Sequence, residues 1–179
     1  MKNILGYTIF LTTRGWAGLV VDQEGLRLLI LPEERKEEVV FKLKKDLFPL
    51  VPDDNFFKEE DDEIFRDLAD KIKEYFRGKK VDFSDCPLNL EAYTNFQKKI
   101  LQTVKKIPYG ETRSYKEVAE AAGYPRAYRA VGNIMRNNPL PLIIPCHRVI
   151  KSDGSLGGFS ARGGLTLKKK MIDWESVRK

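Results

Sequence analysis

A single histidine and two cysteines, with no Cys-x-x-Cys pair, leave this 179-residue chain little from which to build a disulfide framework or a protein-held zinc site. No apolar run approaches the roughly 18 residues that a membrane-crossing helix needs. The opening Met1–Tyr7 stretch lacks the apolar core and small-residue cleavage site of a secretory signal. A cytoplasmic, reducing setting is therefore expected, with no membrane partner, no metal site and no cofactor. Internal repeats and low-complexity tracts are also missing. What is present is a 42% hydrophobic share with 10 Phe and 7 Tyr, enough to bury a core, which excludes intrinsic disorder despite 32% charged residues.

The net charge of +6 conceals an asymmetry. Residues 1–90 carry 15 Lys/Arg against 19 Asp/Glu, a balance of −4, whereas residues 91–179 carry 17 against 7, a balance of +10. An acidic half joined to a basic half suggests two modules, the second facing a polyanion. Two domains are expected, 1–85 and 90–179, with Gly78–Asn89 as the linker.

Tyr7–Thr13, Trp16–Asp22 and Leu26–Leu31 read as short strands joined by glycine-containing turns, an antiparallel meander. Helical spacing follows over Glu33–Leu47 and Asp62–Arg77, separated by a proline-rich break around Pro49–Asp54. Beyond the linker, Thr94-Asn95-Phe96-Gln97 and Ser114-Tyr115-Lys116-Glu117 are capping boxes, each opening a helix. A third helix is expected from Arg126 to about Asn137, so that two short helices flank a glycine-containing turn. Val149–Gly157 suggests a hairpin through Asp153-Gly154, a wing, and a last helix covers about Leu165–Glu175. The expected fold class is mixed α/β (α+β), with a winged helix-turn-helix at the C-terminal end.

Arg126, Arg129, Asn133 and Arg136 recur along one side of the third helix, while Ala127, Ala130 and Gly132 keep part of its surface small. Such a stripe is either a solvated face or a nucleic-acid footprint. Tyr115 falls at the first turn of the preceding helix, where it either packs or meets a phosphate near free N–H groups. In Ile144-Pro145-Cys146-His147-Arg148-Val149, the lone histidine adjoins a cysteine. A thiolate is the nucleophilic form and needs a base or a positive environment, whereas an inert cysteine is simply buried. Cys86 has no such neighbour and reads as packing.

The run Arg129–Val149, with Phe96-Gln97 and Ile107-Pro108-Tyr109-Gly110-Glu111-Thr112-Arg113-Ser114-Tyr115 upstream, closely resembles the O6-alkylguanine-DNA alkyltransferases. These are also called methylated-DNA–protein-cysteine methyltransferases. The likeness spans about residues 94–175, and its Pro-Cys-His-Arg-Val core is its most specific part. It implies a small ribonuclease-H-like domain in the N-terminal half and a one-turnover repair reaction. In that reaction a cysteine takes the alkyl group from O6 of a damaged guanine in double-stranded DNA, approached by a monomer from the minor groove.

Carried over residue by residue, the resemblance makes Cys146 the nucleophile and His147 a water-mediated base. Glu175 then orients the imidazole, and Asn138 supports the turn presenting Cys146. Arg129 fills the space left by a flipped base and Tyr115 crowds the target phosphate, with Ala127, Ala130, Gly132 and Arg136 also on the DNA side. Phe159, Ser160, Pro141 and Met135 are the implied pocket residues. Two departures stand out: Phe159 occurs where the family usually has tyrosine, and Ala161-Arg162 are extra residues in the adjoining loop. A winged-helix DNA-binding protein without repair activity is the chief rival from another class. The retained Cys146, His147 and Glu175 argue against it, and no separate oxyanion motif supports a thiol hydrolase.

Overall fold

Segments rich in Val, Ile, Thr and aromatics, joined by turns at Gly15 and Gly25, build the first sheet. The computed structural model describes residues 5–47, 57–59 and 63–176. Strands β1 (Leu5–Thr12), β2 (Gly15–Asp22) and β3 (Gly25–Glu33) form the antiparallel meander. A short β4 (Phe57–Glu59) pairs parallel with β1, giving the order β3-β2-β1-β4. The sequence did not mark β4: three residues are too few for a strand signal. Both turn glycines have φ above +120°, and a Cβ at Gly15 would lie 2.2 Å from the Glu33 carbonyl oxygen.

Helix α1 (Lys36–Leu47) packs on β2 and β3, and helix α2 (Glu63–Phe76) packs chiefly on β1. Val20, Leu28 and Ile30 form a cluster with Val39 and Leu43 of α1. Gly18 lies on the same face, where an added Cβ would come within 2.6 Å of Val39. Residues of opposite parity, including Leu19 and Leu29, are buried as well, which is why β3 reads as an almost unbroken apolar run. α2 buries Phe65, Leu68, Ala69, Ile72, Tyr75 and Phe76. The Pro49–Asp54 break lies outside the described residues.

Gly78–Asn89 is not a free linker. Leu26 N–H donates to the Pro87 carbonyl (2.9 Å), Asn89 N–H donates to the Leu26 carbonyl (3.0 Å), and the Asn89 amide donates to Asp22 Oδ2 (2.8 Å). Phe83 and Cys86 are buried. The glycine and paired lysines resemble a tether in sequence, but backbone pairing along the start of β3 binds the segment into its own unit. The two compact units are Met1–Asn89 and Leu90–Lys179.

In the second unit both capping boxes are closed. Thr94 accepts from Gln97 N–H at the start of α3 (Asn95–Lys105), and Ser114 accepts from Glu117 N–H at the start of α4 (Tyr115–Ala121). α4 ends at Gly123, whose φ of 86° suits a helix stop. Then α5 (Tyr128–Arg136) begins, two residues later than its sequence pattern suggests. Arg126 therefore lies in the turn, outside the helical stripe. Pro125 accounts for the delay, because the chain turns there and Ala127 N–H bonds to the Tyr124 carbonyl (2.9 Å). A 3-10 turn, Cys146–Arg148, and a last helix, α6 (Gly164–Ser176), complete the unit.

The expected wing hairpin is absent from the described residues. Lys151 and Ser155 do close a turn around Asp153-Gly154 (2.8 Å), but no ladder continues from it. Instead β6 (Val149–Ile150) pairs parallel with β5 (Arg113–Ser114), and residues 155–160 are irregular. Two consecutive glycines, Gly157 at φ 68° and Gly158, offer no side chains to hold a returning strand.

Candidate active site

The turn that carries Cys146 is built by the residues just before it. Asn138, at the end of α5, donates its amide to the Ile144 carbonyl (2.8 Å), and its Oδ1 accepts from Leu140 N–H (3.1 Å). Between them Leu142 has φ 75° while being 1% exposed. A leucine in the left-handed region stores about 1–3 kcal/mol of strain, and surrounding packing must hold it there. This bend delivers Cys146 to the start of the 3-10 turn, 5% exposed.

His147 is fully buried, and its Nε2 lies 2.8 Å from Glu175 Oε1 on α6. With the Nε2 proton on that bond, Nδ1 is the acceptor nitrogen, and it is buried without a hydrogen-bond partner among the described residues. Glu175 is shared. Arg148 reaches it through Nε (2.7 Å) and Nη2 (3.0 Å), while its Nη1 donates to the Ile107 carbonyl (2.7 Å). Gly110 N–H also donates to Glu175 (3.2 Å), and the Tyr109 ring lies 5.6 Å from the Arg148 guanidinium. The Ile107-Pro108-Tyr109-Gly110 motif thus encloses the Arg148–Glu175 pair.

The protonation states follow from this geometry. Burial pushes the Glu175 carboxyl up, but the hydrogen bonds and charges of His147 and Arg148 outweigh it and hold the group at about 2. Burial lowers the His147 imidazole, with Glu175 opposing, so the ring is neutral at neutral pH. Arg148 is then the permanent cation that keeps Glu175 ionised. Burial raises the Cys146 thiol, against the Asn138 amide, the Lys168 charge and the local backbone N–H groups. The resting cysteine is consequently a thiol, which accords with a histidine that acts as a base through water. Its proton must leave at the moment of reaction.

Lys168 on α6 carried no signal in the sequence, where it is one of three consecutive lysines. It is fully buried, donates to the Val149 carbonyl (2.5 Å), and lies 5.9 Å from the Tyr115 ring centre. Burial brings its ammonium down to about 8, with the charge of Cys146 pulling it back up. It therefore remains a cation at pH 7 close to the sulfur. Lys168→Met should raise the thiol pKa and slow alkylation at pH 7 by about tenfold, the lower end of what one nearby opposite charge does. A pH series of the alkylation rate checks this: the profile should move to higher pH, and an unmoved profile would assign Lys168 to packing alone.

Tyr115 is half-buried, and its raised hydroxyl pKa comes from burial first and the charge of Cys146 second. A Cβ on Gly157 would stand 2.6 Å from its hydroxyl oxygen, so that glycine makes room for the ring. Gly132 approaches the same ring at 4.0 Å from its virtual Cβ. Arg129 and Arg136 are both exposed on α5, seven residues and so about 10 Å apart along its axis. Ala127 and Ala130 are half-buried. Phe159 is half-buried and Ser160 exposed on the irregular segment, and Pro141 is half-buried before the cysteine turn. Met135 belongs with Val131 to the buried side of α5. Ala161 and Arg162 sit in a turn closed by Gly164 N–H on the Ala161 carbonyl (2.9 Å), immediately before α6.

Fold and site together define a helix-turn-helix protein with a buried cysteine beside a histidine–carboxylate pair. Residues 95–177 match the 6-O-methylguanine DNA methyltransferase DNA binding domain, and residues 22–90 match the ribonuclease-like domain of the same family. The methylated-DNA–protein-cysteine methyltransferase of Methanosarcina acetivorans is 37% identical over 169 residues, covering 94% of this chain and 97% of that protein. That of Methanosarcina barkeri is 47% identical over 116 residues, 65% of this chain and 71% of the relative. Among solved structures, the Mycobacterium tuberculosis OGT in complex with DNA has a TM-score of 0.75 at 31% identity, covering 97% of this chain and 94% of that one. This chain belongs to the methylated-DNA–protein-cysteine methyltransferase family.

Proposed function

We infer that the protein repairs DNA directly, by a single transfer of the alkyl group from O6-alkylguanine to Cys146. The observation that carries this reading is the buried His147 ring in the residue that follows Cys146, fixed at Nε2 by Glu175 and left with a buried acceptor Nδ1 that has no hydrogen-bond partner among the described residues. A water between Nδ1 and Sγ takes the thiol proton towards His147. The sulfur attacks the alkyl carbon in line, a C–S bond forms, and the C–O6 electron pair returns to guanine, which takes up a proton. A thioether has no route back to a thiol here, so each molecule acts once.

The target base must leave the stack to reach a cysteine this deeply buried. Arg129, exposed at the start of α5, fills the gap from the minor groove, and Arg136 adds charge further along the helix. Tyr115, half-buried near Cys146, marks the boundary between pocket and backbone, while Phe159 supplies a stacking wall. Ala127, Ala130 and Gly132 keep the helix surface low for close approach. The N-terminal domain is joined to a DNA-binding and active-site domain of 90–179, and the working unit is a cytoplasmic monomer without a cofactor. Mixing the protein with a duplex containing O6-methylguanine should add the mass of one methylene to the intact chain (a methyl replacing the thiol hydrogen), once per molecule. Unchanged mass with tight duplex binding would instead favour a non-repairing DNA-binding protein.

A further inference from the structure

Neighbouring residues on a helix leave the axis about 100° apart and do not ordinarily face one another. Tyr128 and Arg129, the first two residues of α5, depart from this: the Arg129 guanidinium lies 5.9 Å from the centre of the Tyr128 ring, within cation–π range. The ring is not committed to the core. It is 46% exposed, whereas α5 buries Val131 and Met135. In sequence it falls between Ala127 and Ala130, in the helix assigned above to DNA. Ala127 makes no side-chain capping bond, so the ring and guanidinium share this end of the helix with no capping side chain between them.

We propose that Tyr128 is a positioning residue for Arg129, an aromatic rest that confines the guanidinium at the start of α5 before the arginine enters the duplex. This rests on the reading of Arg129 as the residue that replaces the flipped base. A free arginine side chain loses much rotamer freedom on insertion, and one already held against a ring loses less. The tyrosine acts through its ring face, so its hydroxyl is dispensable.

Tyr128→Ala and Tyr128→Phe, each made alone and with Arg129→Ala, test this through single-turnover rates on an O6-methylguanine duplex and on free O6-benzylguanine. Tyr128→Ala should lower the duplex-to-free-base rate ratio by about two- to five-fold, the effect of an exposed cation–π contact. Tyr128→Phe should restore that ratio, and Tyr128→Ala should have no further effect once Arg129 is alanine. An equal loss in the Arg129→Ala background, a faster duplex rate, or a Phe variant as slow as the Ala variant would each overturn the proposal while leaving the role of Arg129 standing. An Arg129→Ala protein with a wild-type ratio would overturn that role and this inference with it.

Discussion

Cys146→Ala should abolish methyl transfer while leaving duplex affinity largely intact. The substitution deletes the only atom that accepts the alkyl group and touches none of the exposed basic residues on α5. Cys86 offers no substitute. It is buried in the first unit, where its thiol donates to the neighbouring Pro87 carbonyl at 3.8 Å. The one histidine of the chain, His147, belongs to the second unit and follows Cys146 directly. Intact mass after incubation with an O6-methylguanine duplex, measured together with oligonucleotide affinity, separates chemistry from binding. Transfer that persists through Cys86 would refute the assignment.

Glu175→Gln should be nearly as damaging, and through stability as well as rate. The glutamine keeps the shape but removes the charge that compensates Arg148, itself 8% exposed. Leaving one member of a buried ion pair unmatched typically costs about 3–5 kcal/mol. The pH dependence has a definite sign. The Glu175 carboxyl is held at about 2 when folded, against an ordinary value of 4.5. A depressed carboxyl contributes stability that is fully present above its unfolded pKa and is lost as pH falls through the folded one. About 3 kcal/mol should therefore disappear between pH 4.5 and 2 in the wild type, and much less in the variant. Chemical denaturation at pH 7 and pH 3 measures the difference. In activity, His147 loses the partner that raises its basicity, so alkylation should fall most at neutral pH and recover towards alkaline pH, where solvent deprotonates the thiol. A uniform loss at every pH would mean that Glu175 only supports the fold.

These outcomes depend on features that were unequally visible in the sequence. The meander was legible because β1, β2 and β3 are runs rich in β-branched, aromatic and other apolar residues between turns whose glycines are sterically required. Both capping boxes were legible because a cap is a local interaction spanning four residues. Cys146 and His147 stood out through rarity and adjacency. Lys168 could not stand out: it lies in a run of three lysines, and only the packing of α6 against the cysteine turn determines which of them is buried. The fork from Arg148 to Glu175 spans 27 residues, so the sequence places both members without showing that they meet. The linker and the wing were misread for one shared reason. Glycine-containing segments resemble tethers or hairpins until long-range backbone bonds, Leu26 with Pro87 and Asn89, or β5 with β6, decide where they pair.

By itself the sequence determined the elements whose signals are local: strand composition and turns, helix faces, caps, the helix-turn-helix and the nucleophile candidate beside its base. Tertiary structure alone decided protonation and pairing. A thiol is raised by burial, an imidazole is kept neutral by burial, and a carboxyl is held ionised by an arginine from another segment. Each is a matter of desolvation and distance, and neither quantity exists until the chain has folded.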